Sequence, residues 1–224
     1  MSNQTKLLTT LAMLAAVSYI SVVFIRIPIM PAAPFLDYDP KDVVIVIGGF
    51  MFGPLAALFL SIVTALLQFF TLGASTGLLG LFMNIIASAS FTCTAAFIYS
   101  YKKSVSGAVI GLVSGILMTT GVMLLWNYII TPIWLEVPRA AVAAMLVPVF
   151  LPFNLIKSGL NAAIAMFLYK QLSSALKKIR LAPTSDIKQN SEVNTLKRNI
   201  GVMLVSAFAV LTLILVILAI QQPD

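Results

Sequence analysis

The chain has 224 residues, 60% of them hydrophobic and only 9% charged, with mean hydropathy +1.05. A water-soluble domain carries about 25% charged residues, so this chain lacks the polar surface that solution demands, and its apolar runs are continuous where a membrane β-barrel would alternate in segments of about ten residues. The formal charge of +7 falls mostly between apolar runs, the positive-inside pattern of cytoplasmic loops, and no soluble basic domain is left to engage nucleic acid.

The expected fold class is therefore all-α, a polytopic transmembrane helical bundle in membrane lipid, where helices satisfy the backbone internally. The first predicted helix runs from about Leu7 to Ile25 and ends in Arg26-Ile27-Pro28 without a small-residue cleavage site, so it reads as a retained span. A proline-rich loop, Pro28 to Lys41, contains FLDYDPKD, with acids at Asp37 and Asp39 and a third at Asp42. Val43 to Phe70 is an apolar run of 28 residues containing Gly48-Gly49 and Gly53-Pro54. That is too long for one ordinary span of about 20 residues and short for two. Pro54 cannot continue a helix without losing a backbone hydrogen bond. The expectation is a short second helix, a turn at Gly53-Pro54 and a third helix from about Leu55 to Phe70. A short helix is tolerable only where protein, not lipid, surrounds much of it.

The segment TLGASTG, Thr71 to Gly77, reads as an outer loop, followed by helix four from about Leu78 to Tyr99, ending at Lys102-Lys103. Helix five is expected from about Val105 to Ile130, an outer loop from Thr131 to Ala140, and helix six from about Ala141 to Leu172, interrupted at Pro148 and Pro152. Residues 1–180 are thus read as a six-helix domain, 181–198 as a basic cytoplasmic linker, and 199–224 as an additional transmembrane helix. On this topology ten basic residues lie inside and three outside (Arg26, Lys41 and Arg139), with Lys157 inside a span. The asymmetry predicts a multi-pass protein of the cell membrane with a cytoplasmic N-terminus and, with seven helices, an extracellular C-terminus.

Lys157 carries the most information about chemistry. A charge at mid-bilayer costs about 2.5–3.5 kcal/mol on insertion scales, and no Asp or Glu lies in a predicted span to pair with it. Snorkelling to an interface is one reading. Asn154 and Asn161 share its helical face, at i, i+3 and i+7, which favours a polar pocket or helix contact. Asn127, flanked by Trp126 and Tyr128, offers both a donor and an acceptor, where Lys157 offers donors only. Together they suit a planar edge alternating carbonyl and N–H groups, with aromatic rings for stacking; flavin, folate, thiamine and nucleobase all carry such an edge. Gly107, Gly111 and Gly115, at every fourth position of helix five, read as close-packing residues, and Ala12, Ala15 and Ala16 on helix one serve packing or an inter-chain contact equally well.

There is no G-x-x-x-x-G-K-[ST] phosphate loop and no acid within the predicted spans for an ion relay. Neither paired carboxylates nor a histidine cluster is visible, so an enzyme is not expected. With no histidine and one cysteine, Cys93, which reads as a small packing residue, no metal site or cofactor is expected. A chain that binds a solute without an energy source of its own points to a partner.

The segments FLDYDPKDVVIVIGGFMFGPLAAL, TGLLGLFMN, WNYIITPIWL and LPFNLIKSGLNAAIAMFLYK together resemble the substrate-binding (S) components of energy-coupling factor (ECF) transporters, and among them the riboflavin-specific kind. The phrase D-x-x-x-x-I-G-G-F-x-F-G-P is shared among several S components; the Asn-Tyr-x-x-x-T-P and P-F-N-x-x-K pair is the more flavin-specific part. The resemblance covers roughly residues 5–180 and implies a six-helix bundle with an outward-opening pocket made by helices 4 to 6 and capped by the loop after helix one. It implies that Asn127, Asn154 and Lys157 hydrogen-bond the isoalloxazine ring of riboflavin, with backbone groups near Leu78 contributing. It further implies that Ala12 and Ala16 dock on a transmembrane T component, which with two ATPase subunits drives delivery inward. Riboflavin is then cargo, not a cofactor, and flavin mononucleotide (FMN) is left open as a second ligand. An S component for thiamine, folate or biotin, and a solitary ion-coupled transporter, remain the alternatives.

Overall fold

The computed structural model describes residues 3–30, 33, 35–72 and 77–178. The linker and seventh helix expected over 181–224 lie outside the described residues, as do four residues of the TLGASTG loop. The described chain is helical apart from one small hairpin. Its helices are α1 (Asn3–Phe24), α2 (Lys41–Phe52), α3 (Pro54–Thr71), α4 (Gly77–Tyr101), α5 (Val105–Leu135), α6 (Arg139–Met145) and α7 (Leu151–Lys178). The proline-rich loop contributes two short antiparallel strands, β1 (Ile27–Pro28) and β2 (Asp37–Tyr38), pairing Ile27 with Tyr38 and Pro28 with Asp37.

Five helical segments are long and apolar enough to cross a membrane, the last formed by α6 and α7 together over Arg139–Tyr169. The exception is α2. Its 12 residues span about 18 Å, well short of the roughly 30 Å hydrocarbon core. Nine of those residues are buried, Lys41 and Asp42 among them, so protein encloses α2 as its length requires. Ile45 and Val46 sit in a core with Leu11 and Ala15 of α1, Ala57 and Leu60 of α3, Phe91 and Ala95 of α4, Leu112 of α5 and Ala165 of α7. Gly48 and Gly49 do not interrupt α2; they let its neighbours close on it. A Cβ on Gly49 would lie 2.9 Å from the Cβ of Ala96 and 3.0 Å from that of Ala57.

The turn between α2 and α3 is a single residue, Gly53, at φ 94° and ψ 176°, a region essentially confined to glycine. Its N–H donates to the carbonyl of Gly49 at 2.8 Å, closing α2, and Pro54 opens α3 at the position where a missing N–H is harmless. Nothing lies within 4 Å of a Cβ built there, so backbone strain alone decides the effect of a side chain. Gly53→Ala is expected to destabilise by about 1–3 kcal/mol, read as a lower thermal unfolding midpoint in detergent. Gly121→Ala, equally uncrowded but within regular helix, should not lower it.

Two boundaries differ from the sequence reading. Helix α5 runs on through Thr131 and Pro132 to Leu135, shortening the expected outer loop to three residues. Pro132 lies in the final turns, where it removes one hydrogen bond, and its own carbonyl accepts from the N–H groups of Glu136 and Val137. Glu136, in the left-handed region at φ 54°, ends the helix. The expected break near Pro148 is a widened π-helical turn, Leu146–Phe150, which joins α6 to α7 without ending the rod; Pro152 sits in the first turn of α7, where it is tolerated.

The glycine ladder of α5 packs as expected. A Cβ on Gly111 would fall 2.6 Å from the carbonyl oxygen of Ala95, and one on Gly115 2.7 Å from that of Phe91, so α4 and α5 touch backbone to backbone. Gly107 instead crowds the carbonyl of Lys102 in the turn between them.

Candidate functional site

A cavity of about 170 Å³ lies at the end of the bundle where α1, α3 and α5 finish and α4 and α7 begin. Its walls come from Gln68 of α3, Asn84 of α4, Thr131 and Trp134 of α5, Asn154 and Lys157 of α7, and the hairpin segment with Arg26, Phe35, Asp37 and Asp39. Phe35 packs edge-on against Trp134, with ring centroids 5.0 Å apart, and 6.4 Å from Phe150. The hairpin loop therefore fills part of the hollow. Small-molecule pockets commonly measure about 300–1,000 Å³, so a ligand of ordinary size needs the Phe35 ring to move aside.

Lys157 is not unpaired, as the sequence suggests, and it does not snorkel. Its Nζ donates to Asp39 Oδ2 at 2.7 Å and to the backbone carbonyl of Asp37 at 3.1 Å. The sequence search for a partner covered only the predicted spans, whereas Asp39 comes from the loop, folded inward over the bundle. Lys41, counted as an outer-loop charge, is more deeply buried than Lys157, and its Nζ donates to both carboxylate oxygens of Asp39 at 3.0 and 3.2 Å. Burial alone would raise the Asp39 pKa, but the Lys157 and Lys41 ammonium groups outweigh it and hold the carboxyl well below the usual carboxylate range. Asp39 is thus an anion at physiological pH, and Lys157 sits beside a permanent counter-charge. The cation lies 5.8 Å from the Phe153 ring centroid.

Of the other expected residues, Asn154 lines the cavity, and its Nδ2 donates to the carbonyl of Phe150 at 2.8 Å, within the π-helical turn. Asn161 is fully buried two turns further along the same face, donating from Nδ2 to the backbone carbonyl of Asp39 at 3.3 Å. Asn127 does not face the cavity. Its Nδ2 donates to Met123 O at 2.7 Å and its Oδ1 accepts from Thr131 Oγ1 at 3.0 Å, so its amide is engaged along its own helix. Of its aromatic neighbours, Trp126 packs with Ile86, Val122 and Met123, and Tyr128 lies under the Arg139 guanidinium; the cavity's indole is Trp134. The Leu78 side chain is exposed and outside the cavity wall, which α4 provides from Gly80 onward.

The sequence reading missed Asp39, Gln68, Asn84 and Trp134. Asn84 Nδ2 donates to Gln68 Oε1 at 2.8 Å, placing a carboxamide pair in the wall. Arg26 and Asp37 form an ion pair, both lining the same cavity.

A family model described as "ECF transporter, substrate-specific component" matches residues 6–169, which takes in all of the cavity. The chain belongs to the substrate-specific components of ECF transporters. The S component is 33% identical over 184 residues to "Riboflavin transporter RibU" of Staphylococcus aureus (strain TCH60), covering 79% of this chain and 95% of that protein. It is 26% identical over 185 residues to "Riboflavin transporter FmnP" of Bacillus subtilis (strain 168), covering 79% and 97%. A solved structure described as "Structure and mechanism of the S component of a bacterial ECF transporter" matches with a TM-score of 0.65 at 32% identity, covering 78% of this chain and 99% of the other. The fold of the S component is accordingly an all-α multi-pass membrane bundle.

Proposed function

We propose that this S component captures riboflavin in the cavity beneath the hairpin loop and hands it inward with an ATP-driven partner module. The observation that carries the reading is the Lys157 ammonium. It has three N–H donors, and the protein takes two of them, at Asp39 Oδ2 and the Asp37 carbonyl, which leaves one for a ligand. A carbonyl of a flat imide edge suits that remaining donor. The carboxamides of Asn154, Asn84 and Gln68 supply further donors and acceptors, and Trp134 and Phe35 supply flat apolar area. Two relatives named as riboflavin transporters support the choice of ligand.

In this reading the cavity faces the outer side of the membrane. Lys102 and Lys103 lie exposed at the opposite end of the bundle, beside the start of α5, and the positive-inside rule makes that end cytoplasmic. The N-terminus is then cytoplasmic. On α1, Ala12 and Ala16 are exposed while Ala15 is buried, so the A-x-x-x-A step is available for close approach of a T component with its two ATPases.

Titrating the purified chain with riboflavin should quench flavin fluorescence saturably at one site per chain. Thiamine, folate and biotin should not compete, and FMN in the same titration reports whether a phosphate is accepted. No quenching by riboflavin, or saturable binding of another vitamin in its place, overturns the ligand assignment. In liposomes, accumulation should require the T component, both ATPases and ATP; uptake by this chain alone under an ion gradient would overturn the partner-driven mechanism.

A further inference from the structure

The segment joining β2 to α2 is tied into the bundle from three sides. Ser18 Oγ of α1 donates to the Lys41 carbonyl at 3.1 Å. Asn161 of α7 donates to the Asp39 carbonyl. The Asp39 carboxylate itself, 4% exposed, bridges the two ammonium groups of Lys41 and Lys157. Lys41 is 1% exposed, has no place in the cavity wall, and so serves only the carboxylate. A lysine ammonium rotates freely about its last bond, and nothing intrinsic to it selects the direction of its donors. Two acceptors, Asp39 Oδ2 and the Asp37 carbonyl, restrict that freedom, and with both engaged the third N–H is left for a ligand in the cavity that Lys157 lines.

Resting on the riboflavin reading, we propose that Asp39 is a positioning residue for ligand recognition: held by Lys41, it aims the Lys157 ammonium so that one N–H meets a carbonyl of the bound ring. Asp39 acts through Lys157 and need not touch the ligand. Ligand affinity therefore depends on the loop carboxylate only while Lys157 is present.

A double-mutant cycle on the full-length chain tests this with riboflavin as the probe. Asp39→Asn should weaken binding by about 10-fold or more, because a hydrogen bond to a charged group is lost. In a Lys157→Met background the same substitution should change Kd less than about 2-fold, since nothing remains to be positioned. Asp39→Glu, which keeps the charge and displaces it by one methylene, should also lose affinity while the ligand-free unfolding midpoint stays near that of wild type. A purely structural Asp39 would give equal losses in both backgrounds, and equal losses overturn the proposal. If Asp39→Asn does not fold, Asp39→Glu carries the test, and wild-type affinity in Asp39→Glu overturns it. Failure of the wild-type chain to bind riboflavin sinks the ligand reading instead, so the two failures are distinguishable.

Discussion

Lys157→Met is expected to weaken riboflavin binding by about 100-fold while leaving the ligand-free bundle near wild-type stability. The size follows from hydrogen bonds to charged groups, worth about 1.5–3 kcal/mol each, with about 1.4 kcal/mol per factor of ten in affinity. The selectivity for binding over stability follows from Lys41. Removing one partner of a buried ion pair ordinarily costs about 3–5 kcal/mol because the other charge is left alone. Here Asp39 keeps both contacts to Lys41 Nζ, at 3.0 and 3.2 Å, so no orphaned carboxylate is created. Methionine fills the volume of the lysine stem without a donor. The check is a riboflavin titration beside a thermal melt of the ligand-free protein. Unchanged affinity would remove Lys157 from the site, and a collapse of the melt would show that the pair with Asp39 serves folding first. Lys157→Arg should not rescue, since a planar guanidinium cannot enter the compact place of an ammonium between Asp37, Asp39 and Phe153.

The contrast between what the sequence makes legible and what it conceals is physical. Helix content, the shortness of α2 and its enclosure follow from apolar run length and from Gly53-Pro54, because backbone satisfaction in lipid leaves few alternatives. Close packing along α5 was readable from glycine spacing, since missing Cβ atoms at every fourth position let another backbone approach; that α4 is the neighbour was not. Lys157 was readable as an anomaly because an intramembrane cation is costly. Its partner was not, because Asp39 belongs to a loop, and loop acids are ordinarily solvated. The acidity of FLDYDPKD, more than a simple cap needs, was the available clue. The engagement of the Asn127 amide with Met123 and Thr131 is equally invisible in sequence: a side-chain amide that bonds one turn along its own helix leaves no pattern distinguishing it from one aimed at a ligand. Trp134 was hidden by the expected end of α5 near Ile130, which put the indole in an outer loop. Only the continuation of α5 carries that indole to the cavity.

The glycine ladder supports a prediction of the opposite kind, in which stability and binding fall together. Helices in lipid gain no hydrophobic free energy from touching, so their association rests on close van der Waals packing. In the α4–α5 interface that packing is backbone on backbone at Gly111 and Gly115. Gly111→Ala should destabilise by about 1–3 kcal/mol, because its Cβ would stand 2.6 Å from the Ala95 carbonyl oxygen, which cannot rotate away as a side chain could. Gly111→Leu should abolish the monodisperse folded protein. Asn84 and Gly80 stand on α4 and Thr131 and Trp134 on α5, on facing walls of the cavity, so any separation of the helices also spoils the site and riboflavin affinity falls with the melting midpoint. Gly111→Ala with Gly115→Ala should cost less than the sum of the two, because the first substitution already moves α4 outward and gives the second room. Strict additivity would mean that each glycine is accommodated by its own local adjustment, and the helices then do not move as rigid rods.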